Sequence, residues 1–442
     1  MIKKTRALIV ASAALVLTTA ASVSFAQAKE QFFPLLTFRT GPYAPSGVPW
    51  ADGFVDYFKL VNAKGGINGV KINYEECETA YDTAKGVECY ERLKGKNGGA
   101  TVFQTMSTGI TFALTERGAI DGIPILTPGY GLSESADGEV FKWSFPIAGT
   151  HWASADTQIQ FVGDKLGGMD KLKGKKITLL YHDSPYGKEA IPVLTARSKK
   201  HGFELISIPV PHPGIDQKAA WLQIRQSRPD YVLLWGWGVM NSTALKEAHS
   251  TGFPSNRIVG VWPSGSDSDV KGVAGAEGYS AVLILPGPGF DSKIVKEVLA
   301  TLYAKGEGAG TKDEVGAALY MRGMMNAMFA VEGVRRAQEK FGKGQVMTAA
   351  QARWGYENLD IDQKRLNELG LDDVMRPVTT SCKDHMGPSS ARAYTWNGST
   401  WAVSSDWLQV DQEIINPLLK AAADKYVIDK KLTRRPAADC AS

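Results

Sequence analysis

The chain has 442 residues, enough for two ordinary domains, with 44% hydrophobic and 22% charged residues, close to the globular average. Its formal net charge is +4, and three of those charges, Lys3, Lys4 and Arg6, sit in a leading segment without acids, leaving about +1 on the rest. That balance argues against nucleic acid or an anionic membrane as partner, and no later run approaches the roughly 20 apolar residues that span a bilayer.

Lys3, Lys4 and Arg6 precede an apolar stretch from Ala7 to Phe25 that ends at the small-x-small triplet Ala26-Gln27-Ala28. Residues 1–28 are therefore expected to be a secretory signal peptide, cleaved after Ala28. A membrane anchor fits less well, because Ser and Thr interrupt the stretch. No cysteine follows it closely, so no lipid anchor is expected. Four cysteines, Cys77, Cys89, Cys382 and Cys440, would then sit in an oxidising compartment that permits disulfides. Cys77 ends an expected strand and Cys89 lies two turns into the next helix, a short loop worth roughly 3 kcal/mol if bridged. Cys382 with Cys440 would pin the C-terminal tail; sequence alone leaves open this pairing and free buried thiols. Lys430, Lys431, Arg434 and Arg435 read as a solvated basic face.

In chain order, "FFPLLTF" (Phe32 to Phe38) reads as a strand, and Trp50, Phe54, Phe58 and Val61 recur at helical spacing. Gly65 and Gly66 stop that helix, Asn68-Gly69 supplies a tight reversal, and "VKINYEE" begins the next strand. "ATVFQTM" precedes a helix near Ser107 to Arg117, "IPILTP" is a strand, "KKITLLY" feeds a helix from Tyr186, and "DYVLLW" and "NRIVGVW" repeat the pattern. Val232 to Trp235 is apolar without alternation, as a strand covered on both faces of a parallel sheet should be. After Gly287-Pro288-Gly289 the chain turns helical, with Val315 to Gln338 the longest candidate, and "ARAYTWNGSTWAV" reads as a hairpin around Asn397-Gly398. The fold class is α/β: two doubly wound, Rossmann-like lobes. The expected division is 29–149 with 286–388 in one lobe and 150–285 with 389–442 in the other.

Ligands of open α/β sheets bind beyond the carboxyl ends of the strands. Here those ends read "FRTGPYAPSG", "TMSTG", "TPGYG", "HDSPYG", "WGWG" and "VWPSGS", rich in hydroxyls, backbone amides and aromatic faces. There is no G-x-S-x-G elbow, no H-E-x-x-H, no Walker loop and no G-x-G-x-x-G after the first strand. The six histidines are scattered, without metal-ligand spacing. No catalytic constellation, cofactor or metal site is expected.

"VNAKGGINGVKI", Gly41-Pro42 with Gly47 and Gly53, "HDSPYG" and the late "RPV" and "W-x-G" elements resemble the leucine/isoleucine/valine-binding family of periplasmic solute receptors, over essentially all of the chain after its leader. The resemblance implies a type I periplasmic binding fold with three crossovers between its lobes. It also implies closure on a small ligand in the periplasm, and delivery, by an expected monomer, to the permease of an ABC importer. Residue by residue, Ser107 falls where that family holds the ligand carboxylate, at a helix start suited to an anion. Thr108 follows it. Ser46 stands where the family often has an aromatic, Tyr186 matches a Tyr of the second lobe, and Trp237 falls near an aromatic position.

The family's Ala-Ala-Thr is replaced by Gly129, Tyr130 and Gly131, and its two ammonium-binding acids by His151 or Trp152 and by Trp262 to Ser264. A buried ammonium without a carboxylate is costly, so a small organic acid, aromatic or amino-acid-like, is expected to bind better than leucine or valine. Trp50, Tyr130, Trp237 and Trp262 would line the rest of the cleft. The rival readings are a ligand-sensing receptor subunit of the same fold and, from another class, a periplasmic α/β enzyme. Stoichiometric binding without turnover discards the enzyme.

Overall fold

The computed structural model describes residues 30–284 and 286–440, so the expected signal peptide lies outside the described residues. Gln31–Thr37 is a strand buried along its whole length, paired in parallel with Ile72–Glu78. Helix Ala44–Ala63 makes the crossover between them. Its end is closed by the Gly66 N–H donating to Val61 O at 2.8 Å. Ile67 and Val70 then bridge across Asn68 and Gly69, whose φ angles of 49° and 92° make the two-residue reversal that Asn-Gly favours.

The expected strand in "ATVFQTM" is reduced to single bridges, Leu35 with Gln104 and Phe103 with Ile125. Met106, at a φ of 48°, breaks the extended run and turns the chain into the helix Thr108–Asp121. Ile125–Leu126 and Ser144–Phe145 complete this first parallel layer.

A second sheet carries the order 204–210, 176–182, 231–235, 258–261, 280–283, all parallel, then 390–396 and 401–403 antiparallel at one edge. The edge is the expected hairpin: Asn397 N–H donates to Thr400 O at 3.1 Å between Ser390–Trp396 and Trp401–Val403. Tyr231–Trp235 is entirely buried, as its unbroken apolar run requires.

The longest helix is Ala318–Phe341, three residues later than its expected span at each end. It crosses helix Ala44–Ala63 with the two backbones in contact. A Cβ at Gly323 would lie 1.9 Å from Trp50 O, and one at Gly53 would lie 2.0 Å from Tyr320 O, so only glycine fits at either crossing point. This crossing fixes the height of Trp50 above the sheet ends.

Both cysteine pairs are bonded, Cys77 with Cys89 and Cys382 with Cys440. Of the basic tail, Lys430 and Lys431 are exposed as expected, but the two arginines are not part of a solvated face. Arg434 pairs with Asp137 at 2.9 Å and Arg435 with Glu357 at 2.6 Å, with Arg435 largely buried. The acids of the first layer and of helix Ala349–Glu357 draw these cations in, and the second disulfide holds them there. No described helix is long and apolar enough to cross a membrane.

Candidate functional site

The strand ends of both layers meet around one narrow cavity of about 20 Å³, far below the roughly 300–1,000 Å³ usual for ligand pockets, so its walls nearly touch one another. From the first layer come Tyr81, beyond Ile72–Glu78, and Met106, Ser107 and Thr108, at the turn into Thr108–Asp121. Tyr130 follows Ile125–Leu126, and Trp50 hangs from helix Ala44–Ala63. From the second come His151, Tyr186, Trp237, Trp262 and Pro263.

Local structure sets each polar group. Met106 holds a left-handed backbone that a side chain disfavours, and its N–H donates to Tyr130 Oη at 2.9 Å. That strained turn leaves Ser107 as the N-cap of helix Thr108–Asp121, with its hydroxyl accepting from Ile110 N–H at a long 3.4 Å. Free N–H groups and the helix dipole therefore meet the cavity at Ser107, an arrangement that favours negative charge. Thr108 Oγ1 and His151 Nε2 are 3.0 Å apart, and His151 Nδ1 has no partner. Burial pulls the His151 pKa down to about 3, so the ring is neutral near neutral pH.

Aromatic rings make most of the wall. Trp50 meets Tyr130, Trp237 and Trp262 edge-on, with centroids 5.5, 6.0 and 5.8 Å away. Trp262 Nε1–H donates to Gly129 O at 2.9 Å, and Tyr43 Oη lies 2.8 Å from His182 Nε2. Both contacts run from the first layer to the second, so the two layers are drawn together. The lining contains no Asp, Glu, Lys or Arg. The nearest acids in the chain after Trp262, Asp267 and Asp269, are occupied elsewhere: Asp269 binds Asn241 and Ser266, and burial pushes it up to about 6. Among the described residues no cluster of His, Cys, Asp or Glu could hold a metal ion.

Of the residues singled out from sequence, Trp50, Ser107, Thr108, Tyr130, His151, Tyr186, Trp237 and Trp262 line the cavity. Three do not. Ser46 is buried one helical turn before Trp50, Gly129 contributes its carbonyl to Trp262, and Trp152 lines a separate cavity with Ser133, Thr150 and Asn416. Tyr81, Met106 and Pro263 were missed. Tyr81 follows a strand end in "CETAYD", the same position that marked the others.

A family model described as periplasmic binding protein matches residues 30–400. The chain belongs to that family. A solved structure described as an ABC transporter permease from the Pseudomonas fluorescens group is 41% identical, with a TM-score of 0.86, covering 92% of this chain and 99% of that one. A "Leu/Ile/Val-binding protein homolog 7" from Brucella suis is 26% identical over 55% of this chain; the matched region spans 60% of that relative's length. The fold is also that of a Rhodopseudomonas palustris solute-binding protein solved with benzoate, at 17% identity and a TM-score of 0.65, covering 85% of this chain and 95% of that one. The family, which the Leu/Ile/Val-binding relative shares, has the type I periplasmic binding fold.

Proposed function

We propose that this chain captures a small organic acid, aromatic or branched, between two lobes in the periplasm and, as a monomer, delivers it to an ABC importer permease in the inner membrane. The observation that carries the reading is a lining without any carboxylate around a helix N-terminus capped by Ser107. An α-ammonium has no acceptor of opposite charge there, whereas a carboxylate meets free N–H groups, the Ser107 and Thr108 hydroxyls and a neutral His151. Benzoate in the distant R. palustris protein is a ligand of this chemical type. The lobes of the proposal are 29–149 with 286–388 and 150–285 with 389–442, except that the last few residues are tied back to the first lobe through Arg434, Arg435 and Cys440. Ligand bridging Ser107 and Tyr186 favours the closed form.

A thermal-shift screen of the secreted protein tests this with benzoate, 4-methylpentanoate, leucine, isoleucine and valine. A ligand at about 100 times its Kd adds roughly 2.7 kcal/mol of stability. Shifts with the acids and not with the amino acids support the reading; shifts with the amino acids alone overturn it. Small-angle scattering should show a more compact particle with the best acid than without.

A further inference from the structure

Arg322 precedes Gly323 in helix Ala318–Phe341 and is completely buried, yet Nε, Nη1 and Nη2 all lack a hydrogen-bond partner. Its guanidinium lies over the ring of Trp262, 4.9 Å from the centroid, and its charge also acts on Tyr186. Both of those side chains line the cavity. Asp269 and Asp267 face it from the second layer and their charges favour its charged form, but neither hydrogen-bonds it, and both have donors of their own. Asp267 accepts from Ala318 N–H at 3.5 Å, and Asp269 accepts from Asn241 Nδ2 and from the Ser266 N–H and hydroxyl. An indole face offsets only part of what it costs to bury a guanidinium without an acceptor. Burial lowers its pKa to about 9, which leaves it charged near neutral pH.

We infer that Arg322 is a positioning residue that makes the cavity selective for anions, its charge acting through the ring of Trp262 on a carboxylate held at Ser107. The inference deepens the organic-acid reading and rests on it. A charge in a dry interior acts at several ångströms with little screening, so contact with the solute is not required. The crossing at Gly323 and Trp50 holds the helix rigidly in place, and the guanidinium with it.

The test compares each acid with its neutral isostere, benzoate with benzamide and 4-methylpentanoate with 4-methylpentanamide, by calorimetry on the full secreted chain. Wild type should prefer the acids, and Arg322→Met should lower the acid-to-amide affinity ratio roughly ten- to a hundredfold, while Arg322→Lys keeps most of it. A merely structural arginine would weaken acid and amide alike. An unchanged ratio in Arg322→Met overturns the inference and leaves the organic-acid reading standing. No acid preference in wild type overturns both. If the variants do not fold, wild type still decides: a ratio that holds from about 0.05 to 0.5 M salt supports a buried charge, and one that collapses overturns it.

Discussion

Replacing Gly323 with Ala perturbs the crossing that sets the cavity. The new Cβ would lie 1.9 Å from Trp50 O, and ordinary contact begins near 3.4 Å, so the helices must part by about 1.5 Å. Alanine stabilises a helix interior by about 1 kcal/mol relative to glycine. Overpacking costs roughly 1–3 kcal/mol, and the obstacle here is a backbone carbonyl that cannot change rotamer, which favours the upper part of that range. The net expectation is a loss of about 1–2 kcal/mol, a fall in Tm of roughly 2–8 °C for a unit of about 200 residues. Affinity should fall about fivefold or more, because Trp50 is drawn away from Tyr130 and Trp262, now 5.5 and 5.8 Å from it. Calorimetry with 4-methylpentanoate and a thermal melt read both effects, with Gly95→Ala as control, since nothing lies within 4 Å of a Cβ there. A variant as stable as wild type, with unchanged affinity, refutes the claim that this backbone contact sets the cavity.

Ser107→Ala should weaken binding of 4-methylpentanoate by roughly 1–3 kcal/mol in calorimetry, the cost of leaving a buried acceptor short of a donor. His151 has its pKa lowered to about 3 in the closed protein by burial, so its favourable contribution to closure is full above its ordinary value of about 6.5 and is lost as pH falls from there. The ratio of wild-type to His151→Gln affinity should therefore drop about tenfold between pH of about 7.5 and 5.5; a flat ratio counts against a histidine buried by closure. Cys382 and Cys440 are 58 residues apart and Cys77 and Cys89 only 12, so replacing the first pair with Ser should cost about 1 kcal/mol more in denaturant unfolding, roughly 4 against 3 kcal/mol.

The alternation of elements was legible because it rests on local signals: the Asn68-Gly69 reversal, the apolar run of Tyr231–Trp235 and the Asn397-Gly398 hairpin are where those residues require them. Ser107 was legible too, since a strand-end serine that opens a helix can hardly face elsewhere. What failed depended on rotation and on packing at a distance. His151 and Trp152 are neighbours at one helix start, and the roughly 100° between successive helical residues turns one to the cavity and the other to a separate space behind it. Ser46 and Trp50 share a helix face, but the cavity reaches only the larger side chain. Arg322 left a readable trace, a lone cation within "LYMRGMMNAMF", although nothing local could tell that Trp262 would cover it.

The central claim is that the cavity takes a carboxylate and has no place for an α-ammonium. Calorimetry with leucine and 4-methylpentanoate isolates it, because the two differ only in the amine. 4-Methylpentanoate should bind more tightly; leucine binding at about 1 μM or tighter, roughly −8 kcal/mol, while 4-methylpentanoate gives no heat, would overturn that expectation.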